Sequence, residues 1–410
     1  MGSFRFLHAA DLHIDSPLRG LSSYEGAPVE QLRQATREAF TNLCSLAIEE
    51  AVHFVVLAGD VYDGDWPDYH TGLFFVKQLN RLRDAGIRVV LLHGNHDAQS
   101  KMTKSLRLPD NVFVFGAASP ESFAFEDVGV VFHGQSFKTQ KVQKNLASAY
   151  PEPVSGACNI GVLHTALEGR EGHDTYAPCK SSDLEQKGYG YWALGHVHLR
   201  EVVCAEPLIV FPGNTQGRHA RELGPKGCLI CDVDEGVFGE PVFHPLDVVR
   251  WEHLEVDLSG ETDEDGLFER FDRVLDQALD VVEGRLLAAR VTFVGETELH
   301  TSLLADRERL VEELRARSFD GGREFFLEKV RLRTESLPES AEADATLDWL
   351  GEFPANAAGL VPGGDHPLRS KLPHSSRTAW DDADPDEVAR QAWARLQFGL
   401  GGTSGEERSS

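Results

Sequence analysis

Short apolar runs alternate with amphipathic segments from the start of the chain to about residue 245. The runs are rich in Val, Ile and Phe and are bounded by Gly, Asp and Asn, which predicts strands that are buried on both faces. Two segments between them place apolar residues at helical spacing and predict helices over 29–51 and 69–85. The predicted strands cover residues 4–9, 54–58, 89–92, 112–115, 128–132, 159–163, 191–194, 208–211 and 228–233. This alternation is typical of a layered α/β domain.

The pattern changes near residue 246, where a second and smaller series of strands and helices begins. It predicts strands at 254–258, 286–294 and 325–332 and helices over 265–282 and 304–316. We therefore place a first domain at 1–245 and a smaller α/β domain at 246–335. Residues 336–410 are rich in Pro, Gly, Ser and Asp, which predicts a partly flexible tail with helical islands at 341–353 and 386–398.

Composition narrows the class of protein. With 41% hydrophobic and 26% charged residues, the chain of 410 residues is too apolar to be disordered and too charged to be a membrane bundle. No run approaches the ~20 apolar residues of a membrane-spanning helix, and the first run lacks the basic flank of a signal peptide. Six cysteines are too sparse for a disulfide framework. We expect a soluble, cytoplasmic protein with reduced thiols.

The formal net charge of −26 opposes long-range attraction to nucleic acid. A role on nucleic acid would have to depend on local basic groups, on metal ions or on a more basic partner. Three basic groups qualify: Arg218, His219, Arg221 and Lys226; Lys101, Lys104 and Arg107; and Lys138, Lys141 and Lys144, the last two at near-helical spacing. Each is either solvated surface or a contact to polynucleotide phosphates.

Acidic, histidine and asparagine residues follow five of the predicted strands. They are Asp11 and His13; Asp60 and Asp63; Asn95 and His96; His164; and His196 and His198. Because the carboxyl ends of strands meet at one edge of a layered sheet, these side chains can converge on one crevice. Converging carboxylates repel one another unless cations neutralise them, and imidazole, carboxylate and amide oxygen suit divalent first-row metals.

Spacing supports a site for more than one ion. Asp-x-His on an extended segment directs both side chains to the same side, and the same holds for His-x-His at 196–198. Glycines 59, 94 and 195 precede the polar residues, where the backbone must turn sharply and let a phosphate approach. The donors outnumber what one tetrahedral ion can use. They fit two ions ~3.5–4 Å apart that share a bridging carboxylate.

The five segments resemble the calcineurin-like metallophosphoesterases, and in order and spacing they are similar to the SbcD-type nuclease subunits of DNA repair, particularly the YhaO-like branch. The segments 11–17 (DLHIDSP) and 211–219 (FPGNTQGRH) resemble that branch more than generic phosphatases. The resemblance covers roughly residues 4–245. It implies a β-sandwich flanked by helices, with the second domain as a cap over the active site.

The resemblance also implies a role for each polar residue. Asp11, His13 and His198 would bind one ion, Asn95, His164 and His196 the other, and Asp60 would bridge them. Two divalent cations follow, with Mn²⁺ as the expected metal. A hydroxide on the metal would be the nucleophile. His96 would protonate the leaving oxygen, and Asp63 would orient His96.

The implied function is a metal-dependent phosphodiesterase that cleaves DNA, as exonuclease or endonuclease, in DNA repair. Arg218, His219 and Arg221 are then candidates for substrate binding. The implied partners are DNA and an SMC-like ATPase subunit, SbcC-like or YhaN-like, with the tail helices as docking elements, and the related nucleases suggest a homodimer.

Two other functions remain open. The same ions could serve a small-molecule phosphoesterase acting on cyclic nucleotides or nucleotide derivatives, which the net charge of −26 favours. Alternatively, the chain could be mainly a scaffolding subunit that binds DNA ends, although the complete set of candidate ligands argues against a degenerate site.

Overall fold

The computed structural model describes residues 2–16, 28–63, 69–99, 106–168, 176–318 and 325–337. These residues form two compact units, which divide between Arg250 and Trp251. The helices are α1 Val29–Glu49, α2 His70–Asp84, α3 Ser181–Glu185, α4 Glu264–Val282, α5 His300–Ala305 and α6 Arg307–Ser318. The strands are β1 Phe4–Ala9, β2 Phe54–Ala58, β3 Arg88–Leu92, β4 Val112–Val114, β5 Glu121–Phe125, β6 Val130–Gly134, β7 Cys158–His164, β8 Tyr191–Gly195, β9 Glu201–Ala205, β10 Leu208–Phe211, β11 Gly227–Asp234, β12 Val237–Phe238, β13 Val242–Pro245, β14 Val249–Asp257, β15 Leu286–Glu296 and β16 Phe325–Glu335.

The first unit contains two sheets. One has the strand order β12-β11-β1-β2-β3-β4, with β13 paired to β11, and its strands β1 to β4 are parallel. The other has the order β5-β6-β7-β8-β10-β9, with β6, β7, β8 and β10 parallel. Ala58 at the end of β2 pairs with Leu92 at the end of β3, and His164 at the end of β7 pairs with Gly195 at the end of β8. Each sheet therefore brings the carboxyl ends of several strands to one edge.

A layer of aromatic side chains joins the two sheets. Phe6 and Phe54 from the first sheet lie in one apolar cluster with Phe132 and Tyr191 from the second. The rings of Phe54 and Phe132 meet edge to face at 4.9 Å, and those of Phe6 and Tyr191 do so at 5.1 Å, which is the geometry that aromatic pairs prefer. The alternate residues of β1, Leu7 and Ala9, point to the opposite face of the first sheet.

Helices α1 and α2 cover that opposite face. Their apolar residues recur at helical spacing, so Phe40 and Leu43 of α1 and Phe75 and Leu79 of α2 share a buried cluster with the outer residues of β1, β2 and β3. Another cluster, around Trp192, covers the outer face of the second sheet. The predicted β-sandwich flanked by helices is confirmed.

The second unit has a three-stranded sheet in the order β14-β15-β16, with β15 and β16 parallel. Asp263 caps the start of helix α4, and its carboxylate accepts a hydrogen bond from the Gly266 N–H. Phe271 of α4 lies in the same apolar cluster as Phe293 of β15. The smaller α/β unit is confirmed, but the single helix predicted over 304–316 is wrong. The chain leaves the helical conformation at Asp306 (φ −123°, ψ 47°), and α6 begins at the next residue.

The sequence pattern did not predict four of the strands, which are β5, β9, β12 and β13. Each exposes one or more of its residues, for example Val237 of β12 and Val242 of β13, so none forms a continuous buried run. The segment with Lys138, Lys141 and Lys144 is not helical. The predicted tail helices lie outside the described residues. Within the described part of the chain, no helix has the length and apolar character needed to cross a membrane.

The aromatic layer yields a stability prediction. Replacing Phe54 by alanine should lower the free energy of unfolding of the first unit by about 3–5 kcal/mol, because a fully buried ring with four aromatic neighbours is lost. Leu73→Ala is the control, since Leu73 is 61% exposed and its loss should change the free energy by less than about 0.5 kcal/mol. Urea unfolding measures both. Equal effects would contradict the assigned core.

Candidate metal centre

The polar residues singled out in the sequence lie together at one edge of the sandwich, and both sheets contribute. Asp11 and His13 follow β1, Asp60 follows β2, Asn95 and His96 follow β3, His164 ends β7, and His196 and His198 follow β8. The sequence pattern predicted convergence at one edge of a layered sheet. The site lies where the strand ends of the two packed sheets of the sandwich meet. A direct contact connects the two sheets, because His164 Nδ1 lies 2.9 Å from the Ala58 carbonyl oxygen at the end of β2.

The backbone of the site is not extended. Asp11, His13, Asp60 and His196 have φ values of 52°, 43°, 51° and 98°, in the left-handed region that L residues seldom adopt. The extended Asp-x-His segment expected from the sequence is therefore wrong. Its backbone pairs with the loop after β2, where the Asp11 N–H donates to the Gly59 carbonyl and the His13 N–H to the Asp60 carbonyl, both at 3.0 Å. Such conformations cost roughly 1–3 kcal/mol each and cluster at functional sites.

The first group of candidate ligands is Asp11, His13 and His198, whose donor atoms all lie within 4.8 Å of one another. The Nε2 atoms of His13 and His198 face each other at 3.2 Å, and His198 Nε2 lies 4.0 Å from Asp11 Oδ1. Burial, with the positive charge of Arg218 next in effect, lowers the pKa of His13 well below its ordinary value. His13 is therefore neutral, which is the form that binds a cation.

The second group is Asp60, His164 and His196, also within 4.8 Å. His164 Nε2 lies 2.9 Å from Asn95 Oδ1 and 3.3 Å from Asp60 Oδ2, so the asparagine joins this group. The two groups are linked through the His196 N–H, which donates to both oxygens of Asp11, at 2.9 and 3.1 Å. All the predicted ligands are thus brought into one cluster.

His164 indicates how the cluster fits a cation. Both of its ring nitrogens face oxygen atoms, Nδ1 the Ala58 carbonyl and Nε2 the side chain of Asn95. Burial lowers its pKa, but the charges of Asp60 and Asp11 outweigh burial and raise the pKa to about 9. The Nε2 atom is thus directed at the oxygens of Asn95 and Asp60, which are the groups that would share a cation with it. Burial raises the pKa of Asp11 to about 6, which expresses the cost of that carboxylate in an apolar setting.

The donor set fits divalent cations. Asp11 and Asp60 are each 1% exposed, and imidazoles and the amide of Asn95 lie close to them. Two buried carboxylates with imidazole and amide donors match the preferences of first-row divalent metals. Asp11 and Asp60 lie in different trios, which accommodates two ions rather than one.

Glycines make room for this cluster. A β-carbon on Gly94 would collide with Asp60 Oδ1, and one on Gly195 would collide with the Ala58 carbonyl oxygen. The sequence-based expectation was that these glycines admit a phosphate. Their described neighbours are instead the site's own carboxylate and backbone, so they allow the loops to pack tightly around the ligands.

His96 lies beside the ligands with Asp63 behind it. His96 Nδ1 is 2.6 Å from Asp63 Oδ1, and the rings of His13 and His96 meet at 5.1 Å. Burial lowers the pKa of His96, but the hydrogen bond to Asp63 and the charge of Asp60 outweigh it, so the net pKa is raised. The His96 side chain is 36% exposed, more than that of the candidate ligand His198, which is 19% exposed. It is therefore accessible to a substrate.

Glu222 is a site residue that sequence reasoning missed. Its Oε1 lies 2.6 Å from His198 Nδ1, which leaves His198 Nε2 directed at Asp11 and His13. Glu222 is only 7% exposed, and Asn214 Nδ2 donates to its Oε2 at 2.9 Å. Carboxylates commonly hold the second nitrogen of metal-binding histidines. The signal in the sequence was weak, since nothing sets Glu222 apart from the other acidic residues.

Arg218 connects the two sides of the site. One nitrogen lies 3.1 Å from Glu222 Oε1 and another 3.6 Å from Asp63 Oδ2, so the guanidinium bridges the carboxylates behind His198 and His96. His219 is half exposed, with Nε2 3.7 Å from Glu222 Oε1. Arg221 is exposed, with its N–H 3.3 Å from His219 Nδ1. Substrate binding by Arg218, His219 and Arg221 stays a prediction.

Profiles of two protein families match separate parts of the chain. The profile of the calcineurin-like phosphoesterase family matches residues 4–200, and that of the middle domain of metallophosphoesterase YhaO matches residues 251–335. Residues 4–200 therefore belong to the calcineurin-like phosphoesterase family. The described cluster of Asp, His and Asn residues lies within the residues that match the phosphoesterase profile.

Individual relatives are similar to this chain over different lengths. Metallophosphoesterase YhaO of Bacillus subtilis is 37% identical over 268 residues, which cover 64% of this chain and 65% of YhaO. The DNA double-strand break repair protein Mre11 of Methanopyrus kandleri is 26% identical over 348 residues, 76% of this chain and 71% of that protein. Mre11 of Sulfurisphaera tokodaii is 24% identical over 216 residues, 49% of this chain and 51% of that protein. The match to YhaO thus spans less than two thirds of its length.

The role of Glu222 can be tested by metal binding. A Glu222→Gln variant should bind Mn²⁺ ~10–100-fold more weakly, because His198 loses the carboxylate that orients its ring. Calorimetric titration with MnCl₂ measures the affinity. Glu240→Gln is the control, because Glu240 is exposed and its substitution removes the same charge. Equal affinity of the two variants would show that Glu222 does not support a metal ligand.

Proposed function

We propose that this phosphoesterase hydrolyses phosphodiester bonds of DNA with two divalent cations, Mn²⁺ being the expected metal, and acts in DNA repair. The observation that carries the proposal is the position of His13. Its ring belongs to a ligand trio with Asp11 and His198 and also to a second trio with Asp63 and His96. A group able to donate a proton thus lies directly beside groups able to hold cations.

Each residue has a part in this proposal. Asp11, His13 and His198 would hold one cation, Asn95, His164 and His196 the other, and Asp60 would bridge them. When bound, the cations would neutralise phosphate charge and activate water for attack. Glu222 keeps His198 in its ligating orientation, and the carbonyl of Ala58 does the same for His164.

His96 would protonate the leaving oxygen. Asp63 accepts the Nδ1 proton, which leaves Nε2 of the ring as the atom that can hand a proton to substrate. Ser16 Oγ donates to Asp63 Oδ2 at 2.7 Å and Arg218 approaches the same oxygen, so the carboxylate is held from its far side. The raised pKa of His96 favours the protonated form that a general acid requires.

DNA is the proposed substrate because the Mre11 relatives are named as DNA double-strand break repair proteins and because Arg221 and His219 stay exposed next to the site. The net charge of −26 favours a second candidate, a small-molecule phosphoesterase with the same centre. A purely scaffolding role is disfavoured, since the donor atoms of each candidate trio lie within 4.8 Å of one another.

We extend the proposal to partners. An SMC-like ATPase subunit and a homodimer remain proposals that depend on the resemblance to SbcD-type nuclease subunits. Residues 336–410, to which docking helices were assigned, lie almost entirely outside the described residues.

The test compares two substrates. With MnCl₂, the protein should degrade linear DNA and turn over bis-p-nitrophenyl phosphate. His96→Ala should lower the rate of DNA cleavage by ~10²–10⁴-fold, because the leaving alkoxide oxygen loses its proton donor. The same variant should slow the chromogenic ester much less, because p-nitrophenolate leaves without a proton. Gel assays and absorbance follow the two reactions. Calorimetry with MnCl₂ should show that the His96→Ala variant still binds metal.

His70→Ala is the matched control, because His70 is exposed at the start of α2. Turnover of the chromogenic ester without any cleavage of DNA would favour the small-molecule enzyme. Failure to turn over either substrate would reject the phosphodiesterase.

A further inference from the structure

Arg218 directs its guanidinium at groups that support the metal centre. Its side chain is only 15% exposed, and Nη2 lies 3.1 Å from Glu222 Oε1. Nη1 lies 3.6 Å from Asp63 Oδ2 and 3.4 Å from the hydroxyl of Ser16. Glu222 belongs to the loop between β10 and β11, and Asp63 belongs to the loop after β2. One cation therefore connects carboxylates from two separate loops.

Each of these carboxylates holds a histidine of the site. Glu222 Oε1 lies 2.6 Å from His198 Nδ1, and Asp63 Oδ1 lies 2.6 Å from His96 Nδ1. In both rings Nδ1 is thus used by a carboxylate, and Nε2 is left for a metal or for a substrate. Through the two carboxylates, Arg218 is connected to a candidate ligand and to the candidate general acid.

Both oxygens of Glu222 bond to Arg218. The Arg218 backbone N–H donates to Oε2 at 2.8 Å, and Nη2 donates to Oε1 at 3.1 Å. Nη2 and His198 Nδ1 lie 3.3 Å apart, as expected when both donate to the same oxygen of Glu222. Loss of the guanidinium would therefore remove a bond that fixes Oε1 beside His198.

Stability alone is the simplest role for such an ion pair. Partly buried pairs are weak contributors to stability unless all their polar atoms are satisfied. Arg218 Nε is buried and has no hydrogen-bond partner in the described part of the chain, which costs stability. An arrangement selected for stability alone would not leave this donor unpaired.

A direct contact to a substrate phosphate is the second alternative. It is disfavoured because the terminal nitrogens of Arg218 already face the carboxylates of Glu222 and Asp63. The neighbouring His219 has a side chain that is 52% exposed, and Arg221 is exposed as well. These two residues are better placed to meet a phosphate from solvent.

The shape of the arginine side chain suits a connecting role. The guanidinium is planar and presents several N–H groups in fixed directions, so it can address two carboxylates at once. The ammonium of lysine is a compact point charge and does not reproduce that geometry. A positioning role therefore requires arginine, whereas attraction of a phosphate requires mainly a positive charge.

We propose that Arg218 is a positioning residue that orients His198 and His96 together, by holding Glu222 and Asp63, and that it does not contact the substrate. This inference rests on the proposed function, because it assigns the residue that aligns the proton donor with the metal centre.

The first test is metal binding without turnover. Arg218→Gln and Arg218→Lys should both bind Mn²⁺ about tenfold more weakly in calorimetric titration, because neither side chain holds Glu222 and Asp63 as the guanidinium does. Arg83→Gln is the control, since Arg83 is 44% exposed, pairs with the adjacent Asp84 and lies far along α2. Unchanged Mn²⁺ affinity in Arg218→Gln, or full affinity in Arg218→Lys, would overturn the proposal.

The second test is the separation of kcat from KM. At saturating MnCl₂, Arg218→Gln should lower kcat for linear DNA by ~10-fold or more, because His96 is misaligned, while KM changes by less than about twofold. The fall in kcat should be smaller for bis-p-nitrophenyl phosphate, whose leaving group needs no proton. A raised KM for DNA with an unchanged kcat would identify Arg218 as a substrate contact and overturn the proposal.

Double-mutant cycles test whether Arg218 acts through the two carboxylates. In the Glu222→Gln background, Arg218→Gln should cause little further loss of Mn²⁺ affinity. In the His96→Ala background, it should cause little further loss of kcat on DNA. Residues that act through a shared partner show such coupling, whereas independent effects multiply. Independent effects in both cycles would assign Arg218 to general stability and overturn the proposal.

Thermal unfolding shows whether each variant is folded at the assay temperature. Should Arg218→Gln be unfolded there, Arg218→Lys, which keeps the charge, carries the same comparisons. The outcomes also separate this inference from the proposed function. If the unmodified protein hydrolyses both substrates but the Arg218 variants match it, the positioning role fails and the phosphodiesterase stands. If it hydrolyses neither, the phosphodiesterase fails, while coupling of Arg218 with Glu222 in Mn²⁺ binding would still support the positioning of His198.

Discussion

Two carboxylates buried in an apolar sandwich impose the main constraint on this molecule. Asp11 and Asp60 are almost completely removed from solvent, and a carboxylate in that setting must be paired or coordinate a cation. Imidazoles from both sheets, the amide of Asn95 and the N–H of His196 lie next to these carboxylates. The left-handed backbone at Asp11, His13, Asp60 and His196 follows from the same need, because regular strands would not turn these groups toward one point.

Much of this could be predicted from the sequence, for identifiable reasons. Strands such as β2 are continuous buried runs, and the candidate ligands stand directly after them, so both their existence and their convergence were readable. The pairing of strands into two sheets could not be predicted from the pattern alone, because it depends on long-range contacts, and the β-sandwich was implied only by the family resemblance. Strands β9 and β13 were missed since their partly exposed residues break the apolar pattern.

The conformation and support of the site were less accessible. An Asp-x-His motif has the same letters whether its backbone is extended or left-handed, and only the hydrogen bonds to the loop after β2 decide between them. Glu222 is one acidic residue among 66, and its importance arises from the loop that returns it to His198. The break at Asp306 was hidden because the apolar spacing continues across it.

The hydrogen bond between His164 and the carbonyl of Ala58 has a mechanical consequence. This bond connects His164, a candidate ligand from the second sheet, to the end of β2 in the first sheet, two residues before Asp60. Any sliding of one sheet over the other would alter the spacing between the two halves of the centre. The packing of the aromatic layer between the sheets therefore also fixes the distance between the charged groups at the edge of the sandwich.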